Sequence, residues 1–450
     1  MLDRALGLVQ LQSQWRLSAD ELRALQDRKL RALIRHAYDH VPHYRDLWRA
    51  AGLSPGDVQT VDDLPKLPVT TKQELRTAGT DATLANTADL RQSSAFQISR
   101  DRTISDMAHL GLLRAFHTGG TTGRPFVIYV SPEERAVRRL IETRAMGVIG
   151  RRFWERTAIL GPEVGPSRAL HQRLGINATR SISCLAPVAE QIRSLAQWQP
   201  HVLWSYPATI HAVLHELDYR LSRIIRPRLF VSSSEAIRPW LRKLIADDLD
   251  PEFFNWYGCV EFGRLAFECP AHEGLHVNAD HVIVEILDDG RPAAPGRQGR
   301  VLVTGLHGYT MPLIRYDMGD SAAWVGQPCS CGSAFPLLAD LRGRLYDMLI
   351  LPSGKLSDPG VPEHIVRCYD WVHQFRTIQL TATRLRVEIV ADMGVPSGGP
   401  EQVQADLEGH LPEPMQVEVV LVEEFAGTLL HRSTFVSRIP DWERIAGLPE

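Results

Sequence analysis

The sequence predicts an α/β protein: a large N-terminal domain with mixed sheets flanked by helices and a β-hairpin or barrel-like part, followed by a small α+β C-terminal domain. Three observations predict it. Short apolar runs (TAILG, HVLWSY, RLFVSSSE, FFNWYG) alternate with helical stretches such as IRPWLRKLIADDL, the pattern of a parallel sheet with crossover helices. From about residue 276 the pattern changes, and HVIVEILDDGRPAAPGRQGRVLVTGL reads as two strands joined across a Gly/Pro turn region, an antiparallel hairpin. After LRGRLYDMLIL comes a smaller βαβ-like unit, LRVEIVAD, EQVQADLEGHL and MQVEVVLVEE. A boundary near Gly343 divides the chain into domains 1–343 and 344–450.

Ahead of the alternating region, residues 18–50 read as helix. Ser18 stands as the N-cap of a segment whose apolar residues recur at three- and four-residue spacing, and VPHYRDLW follows. Thr70 or Thr71 is placed to cap another short helix in LPKLPVTTKQELR. A helical stretch then leads to a Gly/Thr loop, with FVIYVS directly behind it as a strand. A long helix follows at about 132–148, with Pro132 in its first turn.

At 450 residues the chain is long for one core, so two or three domains are expected. Composition is that of a soluble globular protein, 44% hydrophobic and 23% charged, and the net charge of −3 offers no general attraction to nucleic acid or to an anionic membrane. No run has the length of a transmembrane helix, and the N-terminus lacks a secretory signal. Six cysteines in so large a chain are no disulfide framework, and a cytoplasmic location is expected. The only lysines are Lys29, Lys66, Lys72, Lys243 and Lys355, so any reaction that needs a lysine has few candidates.

His117-Thr118-Gly119-Gly120-Thr121-Thr122-Gly123-Arg124-Pro125 cannot be the interior of a helix or strand, because glycine costs backbone entropy and packs nothing. Such a loop wraps backbone N–H groups and hydroxyls around an anion, or it is a plain hydroxyl-rich turn. It is not the P-loop, which needs four residues between its glycines and a Gly-Lys-Ser/Thr ending. Four further motifs stand where strands end, the usual place for ligands in open α/β sheets. They are Ser232-Ser233-Ser234-Glu235, Asn255-Trp256-Tyr257-Gly258-Cys259-Val260-Glu261, Pro312-Leu313-Ile314-Arg315-Tyr316-Asp317-Met318-Gly319-Asp320, and Gly343-Arg344-Leu345-Tyr346-Asp347. Each alone is a turn or a helix cap; their order behind the Thr/Gly loop is what carries information.

In these motifs the chain resembles the adenylate-forming acyl/aryl-CoA ligase superfamily, and within it the phenylacetate–CoA ligase-like branch, over nearly its whole length. The resemblance implies activation of a small carboxylic acid by ATP to an acyl-adenylate, followed by transfer to the thiol of CoA, to an amine, or to a carrier protein. It implies a mobile C-terminal domain and the following roles. Thr118, Gly119, Gly120, Thr121, Thr122 and Gly123 hold the triphosphate, with Ser234 and Glu235 also at the nucleotide. Glu261 holds Mg²⁺, for which one carboxylate suffices. Asp320 binds the ribose hydroxyls of ATP or AMP, Tyr257 and Gly258 flank the adenine, and Arg344 at the hinge contacts ribose or phosphate. By analogy of position Trp204, Tyr206, Pro207 and Trp256 line an acyl pocket suited to an aryl or hydrophobic acid; ordinary core packing is the other reading. A homodimer, and a place in secondary metabolism, are left open.

Cys269 and His276 in ECPAHEGLHV, with Cys329 and Cys331 in QPCSCGS, are a candidate closed Zn²⁺ site. His272 is the alternative histidine, and buried reduced cysteines are the other reading. Cys184, Cys259 and Cys368 read as core filling.

Three positions depart from the family pattern. Arg124 replaces the loop lysine, Tyr346 replaces the first hinge aspartate, and Thr434 stands where the family carries a C-terminal lysine that stabilises charge during adenylation. Either Arg432 or Lys355 substitutes for it, or the chain binds nucleotide and acyl-adenylate but forms the latter poorly.

Overall fold

The computed structural model describes residues 12–85, 113–117, 126–161, 170–184, 186–233, 237, 239–342, 349–354, 356–357, 362, 365–366, 369, 371–391, 394–423 and 435–437. The chain divides into two compact units, the larger ending at Leu341 and the smaller beginning at Arg342.

Helix α1 (Ala19–His40) opens on Ser18, whose hydroxyl accepts from the Glu21 N–H while the Glu21 carboxylate accepts from the Ser18 N–H. The helix expected over 18–50 is interrupted: Val41 is extended (φ −116°, ψ 107°) and α2 (Pro42–Ala50) starts afresh. Pro42 is the cause, because its ring pushes the preceding residue out of the helical region. Leu30, Leu33, Ile34 and Ala37 of α1 pack with Tyr44 and Trp48 of α2 onto Ile283, Leu306 and Ile314.

Strand β1 (Arg114–His117) pairs antiparallel with β2 (Val127–Val130). The residues directly before the Thr/Gly loop are therefore strand, not helix, because FVIY behind the loop supplies a ladder partner. Helix α3 (Pro132–Val148) follows, capped reciprocally by Ser131 and Glu134 with Pro132 at its start.

Then β3 (Thr157–Gly161), β4 (Thr179–Ser183), α4 (Val188–Trp198), β5 (Val202–Ser205), α5 (Pro207–Glu216), β6 (Leu229–Ser233), α6 (Pro239–Leu249) and β7 (Glu252–Cys259) build the parallel region in the order β4-β3-β5-β6-β7. Its central strands β3, β5 and β6 are buried on both faces, which is why they read as continuous apolar runs, whereas the edge strand β4 is largely half-buried. Leu203, Phe230 and Phe253 face the core with α4, α5 and α6, whereas Val202, Leu229, Val231 and Phe254 pack with Ala145 and Met146 of α3. The alternation is the period of two that a strand imposes.

At β7 the sheet changes character. β8 (Gly263–Glu268), β9 (Leu275–Val277), β10 (Val282–Asp288), β11 (Arg291–Pro292), β12 (Gly299–Gly305), β13 (Tyr316–Trp324) and β14 (Leu337–Arg342) extend it to twelve strands among the described residues. The hairpin expected after residue 276 is β10 paired antiparallel with β12.

In the smaller unit, β15 (Leu349–Ile350) and β16 (Leu356–Ser357) form a short pair. β17 (Val372–Thr381), β18 (Arg384–Ala391), β19 (Gln416–Leu421) and β20 (Phe435–Ser437) make a four-stranded sheet in the order β19-β18-β17-β20, and α7 (Gly399–His410) lies between β18 and β19 in the chain. The expected βαβ unit is β18–α7–β19, its strands parallel. Leu385, Val387 and Ile389 pack against Val403 and Leu407 of α7. No described helix is long and apolar enough to cross a membrane.

Candidate active site

The β7–β8 connection carries Glu261 and is unusually tight. A Cβ on Gly258 would lie 2.5 Å from the carbonyl oxygen of Gly263, and Gly263 itself has φ +77°. Only glycine fits both demands, a close backbone approach and a left-handed residue. The register slips between Tyr257 and Gly258, which bends the strand where the ladder gives way to the turn.

Three successive carbonyls of this turn are held from outside. The Arg138 guanidinium of α3 donates to Val260 O at 2.9 Å and to Glu261 O at 2.5 Å. His281 Nε2 donates to Phe262 O at 2.9 Å, since a carbonyl only accepts, and this sets the tautomer. Burial pushes the His281 imidazole down to about 4, so it is neutral at pH 7. Its ring stacks on His307 at 5.7 Å between centroids. His307 Nε2 in turn meets Lys29 Nζ at 2.9 Å, and Lys29 donates to Asp280 O at 2.6 Å. Burial holds His307 down to about 3 and Lys29 down to about 8. Beneath them the Asp280 carboxylate takes two hydrogen bonds from Arg144, at 2.5 and 2.8 Å, with Asn278 completing the group; all three side chains are fully buried. Pairing is what makes such a buried charge tolerable.

The carboxylate motifs meet here. Tyr257, on β7, donates its hydroxyl to Asp320 Oδ2, on β13, at 2.5 Å across 63 residues of sequence. Hydrogen bonds to a carboxylate are the strong kind, worth about 1.5–3 kcal/mol. Burial, reinforced by the Asp320 charge, raises the Tyr257 phenol well above its ordinary value, so it stays a donor. Tyr316 approaches Glu261 Oε1 at 3.4 Å from the same strand as Asp320. Arg315, in the left-handed region at φ +48°, serves the frame: its guanidinium is bound to Glu285 and to the Leu67 carbonyl.

Of the residues expected at an acyl pocket, Trp204 of β5 and Trp256 of β7 touch edge to face at 5.2 Å between centroids, and Trp204 Nε1 donates to Ser233 Oγ at 2.6 Å. Tyr206 and Pro207 lie at the junction of β5 and α5.

Cys269, His276, Cys329 and Cys331 converge, with one ligand atom from each within 4.8 Å of the others. Cys269 Sγ and Cys329 Sγ are 3.6 Å apart, and Cys331 Sγ is 3.4 Å from His276 Nε2. Sulfurs on a tetrahedral zinc with bonds near 2.3 Å sit roughly 3.8 Å apart, so the spacing fits the ion. His276 donates its other ring nitrogen to Phe335 O at 3.0 Å, fixing Nε2 toward the sulfurs. His272 is elsewhere, with Nδ1 3.1 Å from a Glu268 carboxylate oxygen and its ring against that of Phe254.

Thr118, Gly119, Gly120, Thr121, Thr122, Gly123, Ser234, Glu235, Arg344 and Arg432 lie outside the described residues, as do Lys355 and Thr434. Sequence reasoning passed over Arg138, His281 and Arg264. Arg264 stands three residues after Glu261 and was within reach of the motif; nothing in local spacing marks Arg138 among its arginine neighbours on α3.

A large mixed sheet with helices on its faces, followed by a small sheet-and-helix unit, is the fold of the adenylate-forming ligases. The structure of 2-hydroxyisobutyryl-CoA ligase in the postadenylation state with 2-HIB-AMP matches at a TM-score of 0.68, with 19% identity, over 93% of this chain and 90% of that one. The same enzyme with 2-HIB-AMP and CoA in the thioesterification state matches at 0.60, with 18% identity, over 96% and 93%. In sequence the chain is related to the phenylacetate–CoA ligases. That of Thermus thermophilus is 26% identical over 360 residues, covering 74% of this chain and 73% of the relative. That of Escherichia coli is 26% identical over 370 residues, covering 78% and 77%. No family model matches the chain.

Proposed function

We propose that the protein activates a carboxylic acid with ATP and magnesium as an acyl-adenylate and passes the acyl group to the thiol of CoA. The observation that carries the proposal is the 2.5 Å contact between Tyr257 and Asp320 beside the clamped Glu261 turn. It brings two motifs far apart in sequence to one place beside the carboxyl end of β7, where the sheet turns at Glu261. The names of its relatives support the same reading.

In the first step a carboxylate oxygen of the acid attacks the α-phosphorus of ATP, forming the mixed anhydride and expelling pyrophosphate. In the second the sulfur of CoA attacks the acyl carbon and AMP leaves. Asp320, oriented by Tyr257, accepts hydrogen bonds from the ribose hydroxyls. The Thr118–Gly123 loop and Arg344 hold phosphates, with Ser234 and Glu235 at the nucleotide. Glu261 would hold the magnesium ion, which would supply positive charge beside the α-phosphate. Trp204, Tyr206, Pro207 and Trp256 line the pocket for an aryl or hydrophobic acid. Residues 344–450 form the mobile domain that alternates between the two steps. Cys269, His276, Cys329 and Cys331 hold a structural zinc, which leaves no open position for chemistry.

A second reading rests on Thr434, which stands where a charge-stabilising lysine is expected. In that case the chain binds nucleotide and acyl-adenylate and forms the latter slowly, unless Arg432 or Lys355 supplies the charge. Incubation with ATP, Mg²⁺ and a panel of acids, followed by mass spectrometry, tests both. Acyl-AMP that becomes a thioester on adding CoA supports the first reading. Acyl-AMP that reacts only with amines moves the acceptor to an amine, and nucleotide binding without acyl-AMP supports the second.

A further inference from the structure

Arg264 is a buried guanidinium inside the aromatic group assigned to the acyl pocket. It is the second residue of β8, paired with Gly258, and is 6% exposed. Its guanidinium carbon lies 4.4 Å from the ring centroid of Trp256 and 4.8 Å from that of Trp204. The Nη1 end overlies the tight Gly258 backbone, 3.4 Å from where a Cβ would stand. Arg264 thus joins the acyl residues to the turn that carries Glu261.

What surrounds this charge is incomplete. Its ion-pair partner is Glu142 of α3, whose carboxylate is 3.8 Å away and 39% exposed. Among the described residues the buried Nε finds no acceptor, and neither does the buried indole Nε1 of Trp256 beside it. Stacking on tryptophan faces satisfies the flat surface of a guanidinium but none of its N–H groups. Burial also lowers the Arg264 guanidinium to about 10, so its own environment favours the charge poorly. A frame arginine such as Arg315 looks different, with its nitrogens on a carboxylate and backbone carbonyls.

We infer that Arg264 determines substrate specificity: the acid carries, remote from the carboxylate that is activated, an anionic or hydrogen-bond-accepting oxygen that takes up the Arg264 guanidinium between Trp204 and Trp256. The class is an aromatic acid with a carboxylate, hydroxyl or oxo substituent, its ring against the tryptophans. The inference rests on the acid-activating reading above and narrows it. A site built to bond such an oxygen discriminates against analogues that lack it, because its own polar groups are then left buried and unpaired.

The test compares acid-dependent pyrophosphate release with ring-substituted benzoates and phenylacetates. Each carboxylate-, hydroxyl- or acetyl-bearing acid is paired with a methyl- or ethyl-bearing acid of similar shape. The wild-type protein is expected to prefer the oxygen-bearing member of at least one pair by about 10- to 100-fold in kcat/KM. Arg264→Met should bring that ratio to near one, and Arg264→Lys should retain part of it. Carboxylate-bearing and neutral acceptors are scored separately, so the preferred pair identifies the substituent. Release indifferent to substituent in the wild type, or a ratio unchanged in Arg264→Met, overturns the inference and leaves the adenylation reading standing. If no acid supports release, the adenylation reading fails and this one with it. Should Arg264→Met not fold, the wild-type preference and its reduction in Arg264→Lys decide.

Discussion

Gly258→Ala is the smallest substitution that reaches the core of the site. The added Cβ would stand 2.5 Å from the Gly263 carbonyl oxygen, a backbone atom that no side-chain rotation can move. Restoring an ordinary separation of 3.4 Å requires a shift of about 0.9 Å in one strand of the β7–β8 hairpin. Overpacking of this kind costs about 1–3 kcal/mol. The functional cost is separable from it, because Glu261 lies within the turn and its carbonyl and that of Val260 are fixed by Arg138. Displacing a positioned group by roughly an ångström lowers turnover on the order of 100-fold. The assay is acid-dependent pyrophosphate release at saturating ATP, run beside a urea titration. Turnover within twofold of wild type, together with an unchanged unfolding midpoint, would refute the reasoning about this turn.

Three further outcomes follow from the same geometry. Arg144→Met leaves the fully buried Asp280 carboxylate without its guanidinium, so stability should fall by about 3–5 kcal/mol in urea unfolding; a loss under 1 kcal/mol would contradict the pairing. His281 titrates near 6.5 when unfolded and at about 4 when folded, so between those values the unfolded chain binds the extra proton. Stability from this residue is therefore intact above pH 6.5 and declines as pH falls toward 4, by on the order of 3 kcal/mol, and His281→Asn should flatten that part of the profile. Protein purified without chelator should contain about one zinc per chain, and Cys329→Ser should lose the metal and unfold at a lower temperature; zinc well below one per chain, or a variant as stable as wild type, rejects the site.

Much of the fold was legible because the central strands of the parallel region are buried on both faces. RLFV and FFNW have no polar face to blur them, and Ser131-Pro132 with Glu134 marks the start of α3 with side chains that act locally. Local signals failed where a neighbour decides. Arg114–His117 is a strand because Val127–Val130 pairs with it, and β8 exists because the Glu261 turn folds it back on β7. The break at Val41 could have been read from Pro42. The candidate site was legible in its motifs, since Tyr257, Glu261 and Asp320 are marked by adjacent glycines and fixed spacing. Arg138, His281 and Arg264 were not, because an arginine-rich chain offers many equivalent cations and only the fold selects those that meet the Glu261 turn or the tryptophans.

Pyrophosphate release from ATP, measured with and without added acid and with and without Mg²⁺, in the wild type and in Glu261→Gln, tests the central claim most directly. Release that requires both acid and Mg²⁺, and that falls by two or more orders of magnitude in Glu261→Gln, is the predicted result. Release independent of acid, or a Glu261→Gln variant as active as wild type, would contradict it.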